Sequence, residues 1–283
     1  MMEPQPIAID GRVTMQGLVW GDETDPLILA LHGWLDNAGT FSELAPLLSG
    51  YCVVAIDFPG QGLSDPLPPG QSYHFNDHLH DIHAALDALP GERTHLMGHS
   101  MGGALASLYA AAFPQEVRSL ICIDALGPMS EPADKAASRL RKALEARMQP
   151  VPEGRFFATR DEAVDARVAA RRLDRASAER LAERGVEATE RGWRWSADRR
   201  HYWPSITRFT EEHVISMLNA VEAPTLLIRA AESQYKMPQA FLDRRVNALA
   251  NARVVELEGA HHLHLDHARP VADAILEFLG EVD

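Results

Sequence analysis

From residue 26 onward, short apolar runs alternate with stretches whose apolar residues recur at three- and four-residue spacing. The runs are residues 26–31 (PLILAL), 51–56 (YCVVAI), 94–97 (THLM), 119–124 (SLICID), 224–229 (PTLLIR) and 252–257 (ARVVEL). Each is continuous and rich in Val, Ile and Leu, as a strand covered on both faces must be. Residues 41–48, 75–89, 102–113 and 270–280 carry helical spacing, with Pro90, Pro114 and Gly280 as stop signals. This alternation predicts strand, crossover helix, strand units and hence an α/β fold with a mainly parallel sheet. Upstream, residues 7–21 (IAIDGRVTMQGLVWG) read as a hairpin leading into that sheet.

The rhythm stops over residues 125–223, a connection too long to be a loop. Its Ala-, Arg- and Glu-rich stretches at 133–148 and 177–192 predict helices, and an aromatic cluster follows at Trp193, Trp195, Tyr202, Trp203 and Phe209. We therefore expect a core domain of residues 1–124 and 224–283 and a helical cap, or lid, inserted at 125–223. The aromatics read equally well as the lining of an apolar pocket and as the cap's own core.

Charge separates the same two parts. The net charge is -13, but residues 125–223 hold 18 of the 27 Lys and Arg against 16 of the 40 Asp and Glu, a small positive surplus in an otherwise acidic chain. An acidic balance excludes nucleic acid and anionic membrane as expected partners, because long-range attraction has the wrong sign, and a small-molecule substrate fits better. The beginning MMEPQPIAIDG has neither a basic nor an apolar leader region, and no run approaches a membrane span. Cys52 and Cys122 sit in apolar runs as core hydrophobes, so no disulfide framework is expected, and the location expected is cytoplasmic. Nothing bears on the oligomeric state.

The chemistry lies where strand meets helix. Residues 94–110 (THLMGHSMGGALASLYA) place Gly98, Ser100 and Gly102 in G-x-S-x-G between a strand and a helix. A serine on so sharp a turn needs small neighbours, supplied by Gly98, Gly102 and Gly103, and its oxygen is then exposed at the helix N-terminus as a nucleophile. The strand at 26–31 runs into His32, Gly33 and Trp34, a loop of the kind that presents a backbone N–H to an oxyanion, with the second donor the amide of Met101. His32 reads as holding this loop rather than transferring protons, and Asp36 and Asn37 as shaping it.

In residues 32–37 (HGWLDN), 57–64 (DFPGQGLS), 98–103 (GHSMGG) and the His-rich end, the chain resembles the α/β-hydrolase superfamily. With 123–128 (IDALGP) it resembles more particularly the serine hydrolase-like subgroup. The resemblance implies an eight-stranded sheet with helices on both faces, a cap after the sixth strand, and a triad ordered Ser, acid, His. It implies that Asp57 anchors the glycine-rich loop beside the nucleophile. For the general base it favours His261, preceded by Ala260 and followed by His264 and Asp266 at the usual spacing; His262 is the alternative. The remaining ligands for zinc at this His cluster lack a recognisable spacing, and neither metal nor cofactor is required. The usual acid position after the seventh strand falls on Ser233, which cannot orient an imidazolium as a carboxylate does. Asp124, closing the sixth strand, is the first candidate acid and Glu232 its rival.

The reaction expected is carboxylesterase chemistry on a small apolar ester through an acyl-enzyme. Thioester, lactone or diketone C–C hydrolysis uses similar constellations. A binding protein that kept the pocket and lost the chemistry is the alternative of a different class.

Overall fold

The computed structural model describes residues 3–91 and 93–282. Among the described residues ten strands form, in chain order β1 Gln5–Asp10, β2 Thr14–Trp20, β3 Leu27–Leu31, β4 Cys52–Ile56, β5 Thr94–His99, β6 Val117–Ile123, β7 Val186–Thr189, β8 Gly192–Trp195, β9 Thr225–Ala230 and β10 Ala252–Leu257. Eight of them make one sheet in the order β1-β2-β4-β3-β5-β6-β9-β10. The β1–β2 and β2–β4 pairs are antiparallel, and every pairing from β4 to β10 is parallel.

The continuous apolar runs are explained by burial on both faces. Leu29, Leu31, Val54, Ile56, Leu120 and Cys122 point into one core cluster, and their neighbours Ile28, Ala30, Val53, Ala55, Ile121 and Ile123 into the other. The helices, in chain order, are α1 His78–Ala88, α2 Met101–Ala112, α3 Ala136–Arg147, α4 Arg160–Arg171, α5 Arg175–Gly185, α6 Glu211–Leu218, α7 Gln239–Ala248, α8 Leu263–Asp266 and α9 Ala268–Val282. Residues of α1, α2, α6 and α7 cover the first face, and those of α9 the second. Helix α9 runs through Gly280. Among the described residues no helix is long and apolar enough to cross a membrane.

Two segments depart from their periodicity. Residues 41–48, expected as a helix, form 3-10 turns at Ala38–Phe41 and Ala45–Leu47, because Pro46 supplies no N–H and disfavours α geometry at the residue before it. The helix expected across 177–192 ends at Gly185, and the rest pairs as the β7–β8 hairpin. Val186 and Thr189 are β-branched, and Gly192 takes φ 109°, which a side chain resists.

Between β6 and β9 the chain leaves the sheet, and an isolated bridge pairs Ser130 with Phe209. Helices α4 and α5 enclose a small cluster of Val164, Leu173, Ala178 and Leu181. Helix α6 is different, since Val214 and Leu218 lie in the core beneath the sheet.

Candidate active site

The turn from β5 to α2 holds Ser100 at φ 52° and ψ -113°. It crosses so tightly that a Cβ on Gly98 would lie 2.3 Å from the Gly102 carbonyl carbon, and one on Gly102 would lie 2.0 Å from the Leu31 oxygen. Only glycine fits either position, which accounts for the G-x-S-x-G spacing. Ser100 N–H donates to the Ile123 carbonyl at 3.0 Å, tying the turn to the end of β6. Met101 opens α2, where the first amides have no carbonyl a turn earlier to accept from them.

At the end of β6, Asp124 also has positive φ, 52°. Its N–H donates to the Ile228 carbonyl at 2.7 Å, and its Oδ1 accepts from Ala230 N–H at 3.1 Å. Its Oδ2 accepts from His261 Nδ1 at 2.6 Å. Strands β6 and β9 are neighbours in parallel register, Ile123 opposite Ile228, so an acid at the end of β6 reaches the same sheet edge as one after β9. Glu232 does not reach His261: it is exposed, and its side chain makes no hydrogen bond or ion pair among the described residues. Ser233 is buried, and its Oγ accepts from Tyr235 N–H at 3.2 Å.

His261 and His262 diverge sharply. His261 faces Asp124, while His262 Nε2 donates to Asp36 Oδ2 at 3.0 Å. Asp36 is almost fully buried and also receives Arg167 of α4, whose Nη2 reaches the Leu35 carbonyl at 2.6 Å. Burial alone would raise the Asp36 carboxyl, but the charges of His262 and Arg167 outweigh it and hold it well below the carboxylate range. Asp36, His99 and His262 bring ligand-capable atoms within 4.8 Å of one another. A divalent ion there would have to crowd the Arg167 guanidinium, so the donor set fits a hydrogen-bonded charge cluster better than a metal centre.

The loop that follows β3 is held from both sides. His32 Nδ1 donates to the Gly33 carbonyl at 2.7 Å, its Nε2 accepts from Phe58 N–H at 3.0 Å, and burial pushes its pKa down. That is a holding role. Leu35 N–H donates to Gln61 Oε1 at 2.6 Å, and Asn37 Nδ2 donates to the Leu181 carbonyl of α5 at 2.9 Å. Asp57 accepts from Ala38 N–H, Leu63 N–H and Arg184, anchoring its glycine-rich loop to α5.

Sequence reasoning passed over three residues. His99, inside G-x-S-x-G, is fully buried, and its Nε2 donates to the His261 carbonyl at 2.9 Å, so it fixes the backbone carrying that histidine. Arg167 is one arginine among many in its segment, and only the buried Asp36 distinguishes it. The Tyr235 ring packs edge-on against His261, centroids 4.6 Å apart.

All five residues of the expected constellation, Ser100, His261, Asp124, Trp34 and Met101, line one cavity of about 990 Å³. The aromatic cluster divides. Tyr202, Trp203 and Phe209 line this cavity, whereas Trp195 donates Nε1–H to the Ala163 carbonyl at 3.0 Å and Trp193 pairs with Phe157.

Comparison with known proteins agrees with the fold. The profile of the alpha/beta hydrolase fold family matches residues 26–268. A serine hydrolase-like protein of Danio rerio is 32% identical over 276 residues, covering 94% of this chain and 85% of that protein. The crystal structure of a hypothetical protein from Pseudomonas aeruginosa PAO1 superposes with TM-score 0.92 at 34% identity, covering 99% of this chain and 100% of that one. A thioesterase domain from the curacin biosynthetic pathway superposes with TM-score 0.87 at 26% identity, over 97% of this chain and 100% of that one. The chain is thus a member of the α/β-hydrolase family of enzymes, within its serine hydrolase-like branch.

Proposed function

We propose that the protein is a serine esterase that hydrolyses small, largely apolar carboxylic esters through an acyl-enzyme, with no cofactor. The observation that carries this reading is the 2.6 Å contact between Asp124 and His261 on the wall of the cavity that Ser100 also lines. In this mechanism His261 Nε2 takes the hydroxyl proton as Ser100 Oγ attacks the carbonyl carbon. Asp124 fixes the imidazole tautomer and stabilises the imidazolium that forms. The amides of Trp34 and Met101 meet the oxyanion charge. His261 returns the proton to the departing alcohol oxygen, then accepts one from the water that attacks the acyl carbon. Collapse of that intermediate releases the acid and restores Ser100.

Residues 125–223 serve as the cap in this proposal, covering the cavity through Tyr202, Trp203 and Phe209. A thioester is the second reading, supported by the likeness to a thioesterase domain. A fluorophosphonate probe is expected to label the wild type at Ser100, and Ser100→Ala to abolish both labelling and hydrolysis of a short p-nitrophenyl ester. Folded protein that takes up no label overturns the serine-esterase reading.

A further inference from the structure

The cavity is charged against the sign of the whole molecule. Both carboxylates on its wall are engaged, Asp124 by His261 and Asp36 by Arg167 and His262. Two of its cations are also matched, Arg245 by Glu211 at 2.7 Å and Arg229 by Glu256 at 3.3 Å. Arg171, Arg208 and Lys236 line the same space, and none is ion-paired with a carboxylate among the described residues. In a chain of net charge -13, this leaves a locally positive wall that attracts an anion.

Arg171 is the best placed of the three. It ends α4, one turn after Arg167, a repulsive pair of which only Arg167 has a carboxylate partner. Its guanidinium lies 5.5 Å from the centroid of the Trp34 ring on the oxyanion loop, and its Nη1 donates to Tyr235 Oη at 2.8 Å. Tyr235 in turn packs on His261. The cation therefore stands one side chain away from both the oxyanion loop and the proposed base. One of its N–H groups goes to a neutral hydroxyl, and the rest of the planar fork suits a carboxylate. Lys236 follows Tyr235 directly in the chain.

We propose that Arg171, assisted by Lys236, binds a carboxylate of the substrate, so that the preferred esters are half-esters of dicarboxylic acids whose apolar spacer crosses the cavity. This rests on the esterase reading and adds the substrate class to it.

The test pairs two near-isosteric esters, 4-nitrophenyl hydrogen adipate and 4-nitrophenyl methyl adipate, with calorimetric binding of free adipate. The wild type is expected to show at least tenfold higher kcat/KM for the acid than for the methyl ester, a preference that shrinks as salt is raised. Arg171→Gln is expected to lower that ratio about tenfold, Lys236→Gln about threefold, and Arg171→Lys to restore part of it. Adipate is expected to bind the wild type and to lose about tenfold in affinity in Arg171→Gln. Equal kcat/KM for the two esters, or adipate binding indifferent to Arg171, overturns the proposal. Absence of turnover together with Arg171-dependent adipate binding overturns the esterase reading while upholding the anion site.

Discussion

At Ser100 and Asp124 the backbone passes through positive φ, 52° in both, a conformation that costs a non-glycine residue on the order of 1 kcal/mol or more. At Ser100 the strained turn sets the residue on the wall of the cavity. At Asp124 it lets one carboxylate oxygen accept from Ala230 N–H while the other accepts from His261. Asparagine has the same shape and tolerates positive φ, so Asp124→Asn keeps the turn and removes the charge. We expect it to lower kcat roughly 10³- to 10⁴-fold, and Glu232→Gln to change kcat less than twofold; the reverse pattern in steady-state kinetics would return the acid to the loop after β9. His261→Ala is expected to abolish turnover. His262→Ala is expected to act instead on stability, by removing a partner of buried Asp36. Both histidines stand in one short motif, and their separation rests on partners 137 and 226 residues away, which no local spacing encodes.

At the scale of elements, the segment between β6 and β9 holds the loops of the site through a few side chains of α4 and α5. Arg167 reaches the Leu35 carbonyl and Asp36, Asn37 reaches the Leu181 carbonyl, and Arg184 reaches Asp57. Removing one member of a buried ion pair strands the other charge, so Arg167→Met is expected to destabilise the protein by about 3–5 kcal/mol. Urea unfolding measures this, and an unchanged midpoint would mean that Asp36 is satisfied without the arginine. The helical character of α3 and α5 was legible from composition, but their termini were not, and α4 was not singled out. The continuous Ala and Arg pattern conceals the stop at Gly185, where hairpin pairing of β7 with β8 overrides helix propensity.

At the scale of the whole molecule, several imidazoles are buried together. His99 and His264 are held well below the ordinary histidine pKa, first by burial and then by neighbouring histidines; His32 is lowered by burial, and His201, for the same reason, to about 3. These groups stay neutral when folded, while their unfolded counterparts protonate below about pH 6.5. The unfolded state therefore binds more protons as pH falls, and stability declines by up to about 1.4 kcal/mol per pH unit for each such histidine. Asp36 acts in a different window: its depressed pKa keeps its contribution until pH falls below about 4. The urea midpoint is expected to drop between pH 7 and pH 5, and a flat profile would mean that the buried histidines are charged in the folded protein.

The eight strands of the sheet, its mainly parallel core and the serine on its turn follow from the sequence alone, because each is encoded locally by runs buried on both faces and glycines where no Cβ fits, whereas the 3-10 turns between Ala38 and Leu47 and the β7–β8 hairpin do not. Residues 32–34 were legible as the loop that follows β3, whereas residues 57–64 were placed beside the serine by the resemblance to α/β-hydrolases. Which carboxylate meets which histidine was decided only by the tertiary structure. Asp124 and Glu232 are each plausible along the chain, but the adjacency of β6 and β9 brings Asp124 to His261 and leaves Glu232 in solvent. The positive wall of the cavity likewise emerges only on folding, since the carboxylates that neutralise Arg229 and Arg245 come from other segments and, among the described residues, none pairs with Arg171.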